Sequence, residues 1–329
     1  MTLWKLSLAT FGCALVIGAG TGCSAHGSQS GFEDGDGGVG SNGDSGGVFG
    51  GGGGNPGSAP TLLYAHTDTT LYTLDPTKLG APLTTVGTFD CVGAGSGSSS
   101  MTDLAVTKDG HLFGVSQGAA YPLTVQNGVV HCEATWTLPN TKFFGLTIAP
   151  ENTVAANEVL IGADGAGGLY QIDPNSGTPT QVGTLGTDPR SGKPWALSGD
   201  IVFMANGGNP IGFATVRTCT SGTNCTTTDT LIEVDVHAIR PGTQSVLKTV
   251  RGQVVRGSWC TNASSPSTFG SMFGIVAYED KVYGFSRQGD IIEIHNTDGT
   301  GCLVQAAPSL KFAGAGISTT ARVTAPPPK

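Results

Sequence analysis

The chain has 329 residues, with 16 basic and 24 acidic side chains, a formal net charge of −8 and only 12% charged residues. No cluster of Lys and Arg is visible, which argues against nucleic-acid binding, since that function needs a basic footprint. The surface must then be largely Thr, Ser, Asn, Gln and Gly.

Residues 1–22 read as an export signal. Lys5 is the basic n-region, and Leu6 to Ala19 is mostly apolar. That stretch is short for a membrane span, which needs roughly 20 apolar residues, and fits a cleaved secretory signal. The following Gly20-Thr21-Gly22-Cys23 resembles the lipobox of bacterial lipoproteins, with Gly20 standing where the pattern usually has Leu. The resemblance implies diacylglycerol on the sulfur of Cys23 and an acyl chain such as palmitate on its amine. Several chains together anchor stably where one would not. Ser24 after the cysteine leans toward the outer membrane rather than the inner. The alternative is an ordinary secretory signal with a bystander cysteine.

Residues 23–59 form the lipid-attachment cysteine and a linker in which 15 of the 36 residues after Cys23 are Gly. Such composition cannot offset the entropy of ordering, and a coil of this length reaches about 30–35 Å. Gly43-Asp44-Ser45-Gly46-Gly47 matches the protease nucleophile pattern and G-x-S-x-G, but both need a rigid backbone that this tract does not supply. Asp34-Gly35-Asp36-Gly37 lacks the further ligands of a calcium loop.

Residues 60–323 are expected to be one all-β domain, with 324–329 a C-terminal tail. Six cysteines fall here: Cys91, Cys132, Cys219, Cys225, Cys260 and Cys302. An even number in an exported chain reads as disulfides. Six allow 15 pairings; proximity favours Cys219–Cys225, and repeat position favours Cys91–Cys132 and Cys260–Cys302. There is no CxxC and the histidines are scattered, so no metal and no cofactor are expected.

No long segment has helical periodicity. A bulky–bulky–small unit recurs at Leu63-Tyr64-Ala65, Leu112-Phe113-Gly114, Leu160-Ile161-Gly162 and Val282-Tyr283-Gly284, with a weaker copy at Gly212-Phe213-Ala214. A second strand follows most copies, ending in an acid and a turn, as in Leu71–Pro76, Leu169–Pro174 and Leu231–Asp235. A third is expected at 83–88, 180–185, 244–250 and 303–307. An apolar strand precedes the unit at 102–107, 144–149, 198–204 and 272–278, and its counterpart for the first unit is 313–320. Four strands per unit at near-regular spacing predict a β-propeller of about five four-stranded blades, the first closed by the C-terminal strand. Six or seven blades, should 251–270 hide a strand pair, and a β-sandwich are the alternatives. The small residue is assigned to the taper between blades.

The repeat Leu169-Tyr170-Gln171-Ile172-Asp173-Pro174-Asn175-Ser176-Gly177, the run Ser198-Gly199-Asp200-Ile201-Val202 and the closing Gly314-Ala315-Gly316-Ile317 resemble a β-propeller family of bacterial envelope proteins. Several members are lipoproteins of unassigned function. The resemblance covers most of residues 60–323 and implies a fold rather than an activity.

Propellers place ligands at the axial channel mouth. Asp103 and Asp200 lie on candidate innermost strands, with Trp195, Phe143, Phe144 and Phe273 at strand starts. Two funnel carboxylates could do glycosidase work; five-bladed glycosidases use three acids, and here two occur with loop acids Glu279 and Asp280. The competing reading makes Asp103 a partner of backbone amides and the aromatics packing core. The expectation is a lipid-anchored, monomeric binding or interaction module of the envelope with a protein or glycan partner. A glycan-acting enzyme is the alternative, and a structural or sensory role is the third.

Overall fold

The computed structural model describes residues 61–93, 98–138, 141–221 and 224–329. The signal segment, Cys23 and the linker lie outside the described residues.

The strands in chain order are β1 (Leu63–Thr67), β2 (Thr70–Leu74), β3 (Thr84–Phe89), β4 (Met101–Val106), β5 (Leu112–Ser116), β6 (Ala119–Gln126), β7 (Val129–Cys132) and β8 (Trp136–Thr137). There follow β9 (Phe143–Ala149), β10 (Val159–Asp164), β11 (Gly168–Ile172), β12 (Pro179–Thr184), β13 (Trp195–Met204), β14 (Ile211–Ser221), β15 (Asn224–Cys225), β16 (Thr230–Val234) and β17 (Leu247–Gln253). The last are β18 (Met272–Tyr278), β19 (Lys281–Ser286), β20 (Asp290–His295), β21 (Gly301–Ala306) and β22 (Phe312–Gly316). The protein is all-β, of propeller-like or sandwich type.

Three sheets run in chain order: β9 to β12, then β13-β14-β16-β17 with β15 on β14, then β18 to β21. The remaining strands form one nine-stranded sheet, β22-β1-β2-β3-β7-β6-β5-β4, with β8 on β6. It is two four-stranded runs joined edge to edge by the parallel pairs Thr88↔Val129 and Phe89↔Val130. The C-terminal strand β22 pairs antiparallel with β1 through Tyr64↔Gly316, Ala65↔Ala315 and His66↔Gly314.

The first strand of each later run and β22 lie side by side in the cyclic order β4, β9, β13, β18, β22 and back to β4. They run in the same direction: Thr102 at the start of β4 bonds the carbonyl of Phe143 at the start of β9, and Val106 bridges in parallel to Ser318 just beyond β22. Their apolar side chains close the centre, with Leu104, Leu146, Ile148, Ile201, Phe203 and Ile275 all at most 1% exposed.

Three features of the repeat acquire causes. The acid that ends the second strand caps its own turn: Asp75 Oδ1 accepts from Thr77 N at 2.9 Å, Asp173 from Asn175 N at 2.7 Å and Asp235 from His237 N at 3.1 Å. The small residue of the repeat lies beneath the first large side chain of the innermost strand in its own sheet. A Cβ on Gly114 would meet Met101 Sδ at 2.8 Å, one on Gly162 the Phe143 ring at 2.9 Å, and one on Gly284 Met272 Sδ at 2.6 Å. The taper between neighbouring strands of the ring is instead served by Gly274, whose Cβ would stand 2.6 Å from Ala315 N. Residues 254–271 carry only isolated bridges such as Val255↔Thr268 and Arg256↔Gly301. This insert is fastened to β21, where Asn262 Nδ2 donates to Leu303 O at 2.8 Å and Leu303 N to Ser265 Oγ at 3.0 Å.

Disulfides join Cys91–Cys132, Cys219–Cys225 and Cys260–Cys302. Three such bonds point to an oxidising, extracytoplasmic compartment. No helix of the described residues is long and apolar enough to cross a membrane.

Candidate functional site

Asp103 is the third residue of β4, and Asp200 lies in an irregularity of β13, where the register with β14 jumps from Leu197 to Ile201. That break takes Ser198, Gly199 and Asp200 off the ladder with β14. Asp103 Oδ2 accepts from Leu146 N of β9, and its Oδ1 accepts from Ala315 N of β22 at 3.2 Å. Asp200 Oδ2 accepts from Ile275 N of β18 at 2.7 Å and its Oδ1 from Ile201 N. The two carboxyls are neighbours, each acting on the other's titration, and both residues are 0% exposed. Burial, then the neighbouring carboxylate, pushes Asp103 well above the usual carboxylate range, while burial pushes Asp200 up to about 7.

Two more buried titratable groups stand nearby. His66 Nδ1 lies 2.8 Å from Thr67 O, and its Nε2 has no hydrogen-bond partner. Burial lowers its pKa to about 4, so the ring is neutral. A Cβ on Gly314 would strike both His66 Nε2 and Asp103 Oδ1, so only glycine fits between them. Asp229 receives Ser198 Oγ and, at 3.1 Å, Met272 N, tying the turn before β16 to β13 and β18. Burial raises it to about 6.

Beyond this carboxyl level the axis holds a space of about 10 Å³, lined by residues including Leu104, Leu146, Ile148, Ile201 and Phe203. That is room for about one water. Where the innermost strands end, the axis opens into a cavity of about 390 Å³ lined by Lys108, Glu151, Glu158, Ala205, His237 and Thr319, among others. These residues follow β4, β9, β13 and β22 or precede β10, apart from His237 in the turn after β16. Glu158 is 7% exposed. It accepts from Lys108 N at 3.1 and 3.0 Å and from Thr319 Oγ1 at 2.5 Å, and burial raises its pKa. Lys108 Nζ reaches Asp109 at 3.0 Å and Glu151 at 3.6 Å. Carboxylate, ammonium, imidazole and hydroxyl groups thus converge on one concave space, a combination suited to orienting a polar ligand.

The aromatic residues singled out from the sequence lie at the other end of the innermost strands. Trp195 is 4% exposed and its indole nitrogen has no partner. Phe143 is fully buried, whereas Phe144 and Phe273 are half-buried. The Arg287 guanidinium stands 5.4 Å from the Phe273 ring centre and pairs with Asp68 at 2.8 Å. Glu279 pairs with Arg322 at 2.9 Å in the turn after β18. The structure therefore brings Asp103 and Asp200 together and keeps the aromatics apart from the cavity. Lys108, Glu158 and His237 carried no signal in the sequence, being single polar residues in turns. The group Asp90, Cys91 and Cys132 has metal-like spacing, but both sulfurs are committed to a disulfide.

No protein-family model and no curated protein sequence matches the chain. Among solved structures it is similar to a protein of unknown function from Bacteroides caccae, at 11% identity and a TM-score of 0.42, over 79% of this chain and 99% of that one.

Proposed function

We propose that this chain is a lipid-anchored binding protein of the bacterial envelope, a five-bladed propeller that takes a small polar ligand in the cavity at the end of its innermost strands. The blade count is supported by the cyclic order of β4, β9, β13, β18 and β22, each leading or completing a four-stranded run. Attachment through Cys23 at the outer membrane is supported by the residues around it, Lys5, the apolar stretch and Ser24.

The observation that carries the reading is the contrast along one axis. Its centre is sealed by apolar side chains and unexposed carboxyls, whereas the cavity of about 390 Å³ opens where loops from several runs converge. The glycan-acting alternative requires Asp103 and Asp200 to reach a sugar, and both are 0% exposed.

The test is a thermal-shift screen of the full chain against neutral oligosaccharides, amino sugars and short acidic and basic peptides. A probe that raises the melting temperature of the wild type but not of Lys108→Ala supports the cavity as the site. Equal shifts in both proteins place binding elsewhere, and no shift from any probe favours a structural or sensory role.

A further inference from the structure

Two carboxyl groups connect all five innermost strands. Asp103 stands on β4 and holds amides of β9 and β22; Asp200 stands on β13 and holds an amide of β18. The carboxyls are neighbours, each acting on the other's titration, and neither is exposed to water. Two neighbouring carboxylates in a dry site cannot both ionise, so at least one carries a proton.

The groups facing the pair do not supply a counter-charge that would replace this proton. From β1 comes neutral His66, with its free Nε2 turned toward Gly314 and Asp103. From β9, β18 and β22 come the amides of Leu146, Ile275 and Ala315. Asp229 is held by Ser198 and Met272 N and faces the charge of Arg217. Asp68 and Arg287 neutralise each other beyond His66.

We propose that the Asp103–Asp200 pair is a proton-binding clasp: one proton shared between the carboxyls holds the ring of innermost strands closed, and its loss loosens the ring. The sign follows from the environment. Burial raises the folded-state pKa of both groups above the ordinary 3.8, so the clasp is strongest below about 4 and weakens as pH rises through about 7 and beyond. Across that window unfolding releases at least one proton, and the folding equilibrium constant falls at least about tenfold per pH unit from this site. The domain would be firm in acid and loosened in mild alkali, a response suited to a compartment whose pH follows the surroundings.

Denaturant unfolding of the full chain at half-unit steps from pH 5 to 8, for wild type and Asp103→Asn, tests this. Asp103→Asn takes one titrating carboxyl out of the pair, at the loss of one of the two backbone amide bonds that Asp103 accepts. The wild type is expected to release about one proton more on unfolding than the variant; parallel pH profiles would overturn the clasp. Infrared spectra of the Asp229→Asn chain carrying ¹³C-labelled aspartate provide a readout that does not depend on Asp103→Asn folding. A protonated aspartate carbonyl band present at pH 6.5 and lost on titration to pH 9 is expected, and its absence at pH 6.5 would equally overturn the proposal.

Discussion

Arg251 of β17 and Glu233 of β16 form an ion pair in which each side chain is 2% exposed. Arg251 Nη1 also donates to Pro327 O at 2.8 Å, and Lys329 Nζ donates to Arg251 O, so the last residues of the chain cover the pair. At the rim Lys248 Nζ stands 2.8 Å from Glu233 Oε1. A buried pair adds little beyond a hydrophobic one, but removing one partner strands a charge, at a cost of about 3–5 kcal/mol. Arg251→Met should therefore destabilise toward the lower end of that range, since Lys248 still reaches Glu233. Adding Glu233→Leu should recover most of the loss. Denaturant midpoints of the two variants check this, and a double variant weaker than the single would contradict it.

Gly199 is predicted to be the least replaceable residue of the ring. A Cβ there would overlap the carbonyl oxygen of Met272 on the adjacent strand β18. Backbone cannot swing aside as a flexible side chain can, and overpacking of this kind costs about 1–3 kcal/mol or more. Gly199→Ala should lower the melting temperature by several degrees or abolish soluble protein. Gly118→Ala, whose Cβ meets nothing within 4 Å, should leave the melting temperature within about a degree.

Asp229 should contribute its own pH dependence. Its pKa rises from 3.8 to about 6 because it is buried, so the folded state holds the proton more tightly than the unfolded chain. The associated stability is complete below about 4 and is lost as pH rises through about 6, on the order of 2–3 kcal/mol across the window. Asp229→Asn can still accept from Met272 N and meet Ser198. It should flatten the stability profile between pH 4 and 6, and a wild-type-like slope in the variant would show that Asp229 does not titrate there.

The proposed lipid anchor on Cys23 is tested apart from the fold. Cys23→Ser should move the protein from the detergent phase to the aqueous phase in a cloud-point partition of whole cells. A variant that stays in the detergent phase would mean that something other than a lipid on Cys23 holds it there.

Much of the strand plan was readable because its determinants are local. Leu169-Tyr170-Gln171-Ile172 alternates with period two and became β11, and the apolar runs expected at 102–107, 144–149 and 272–278 are β4, β9 and β18 to within a residue or two. The closing strand was visible as Ala313-Gly314-Ala315-Gly316, although it ends at Gly316, where the expectation continued to Thr320. Strands β6 and β7 went unrecognised. Pro122 interrupts β6, and what makes it a strand is its ladder with β5 and β7, which no local pattern records.

The site divides the same way. The strand-and-turn rhythm and the presence of an acid on each of two inner strands were legible in the sequence alone, since these follow from periodicity, turn chemistry and composition. Only the tertiary structure decided that Asp103 and Asp200 turn toward each other instead of toward solvent, and that Lys108, Glu158 and His237 share one cavity. Those facts depend on ring closure, which brings together residues far apart in the chain, and on a break in β13 where Gly199 packs against the carbonyl of Met272. Local patterning specifies which face of a strand is apolar; long-range packing specifies what that face meets.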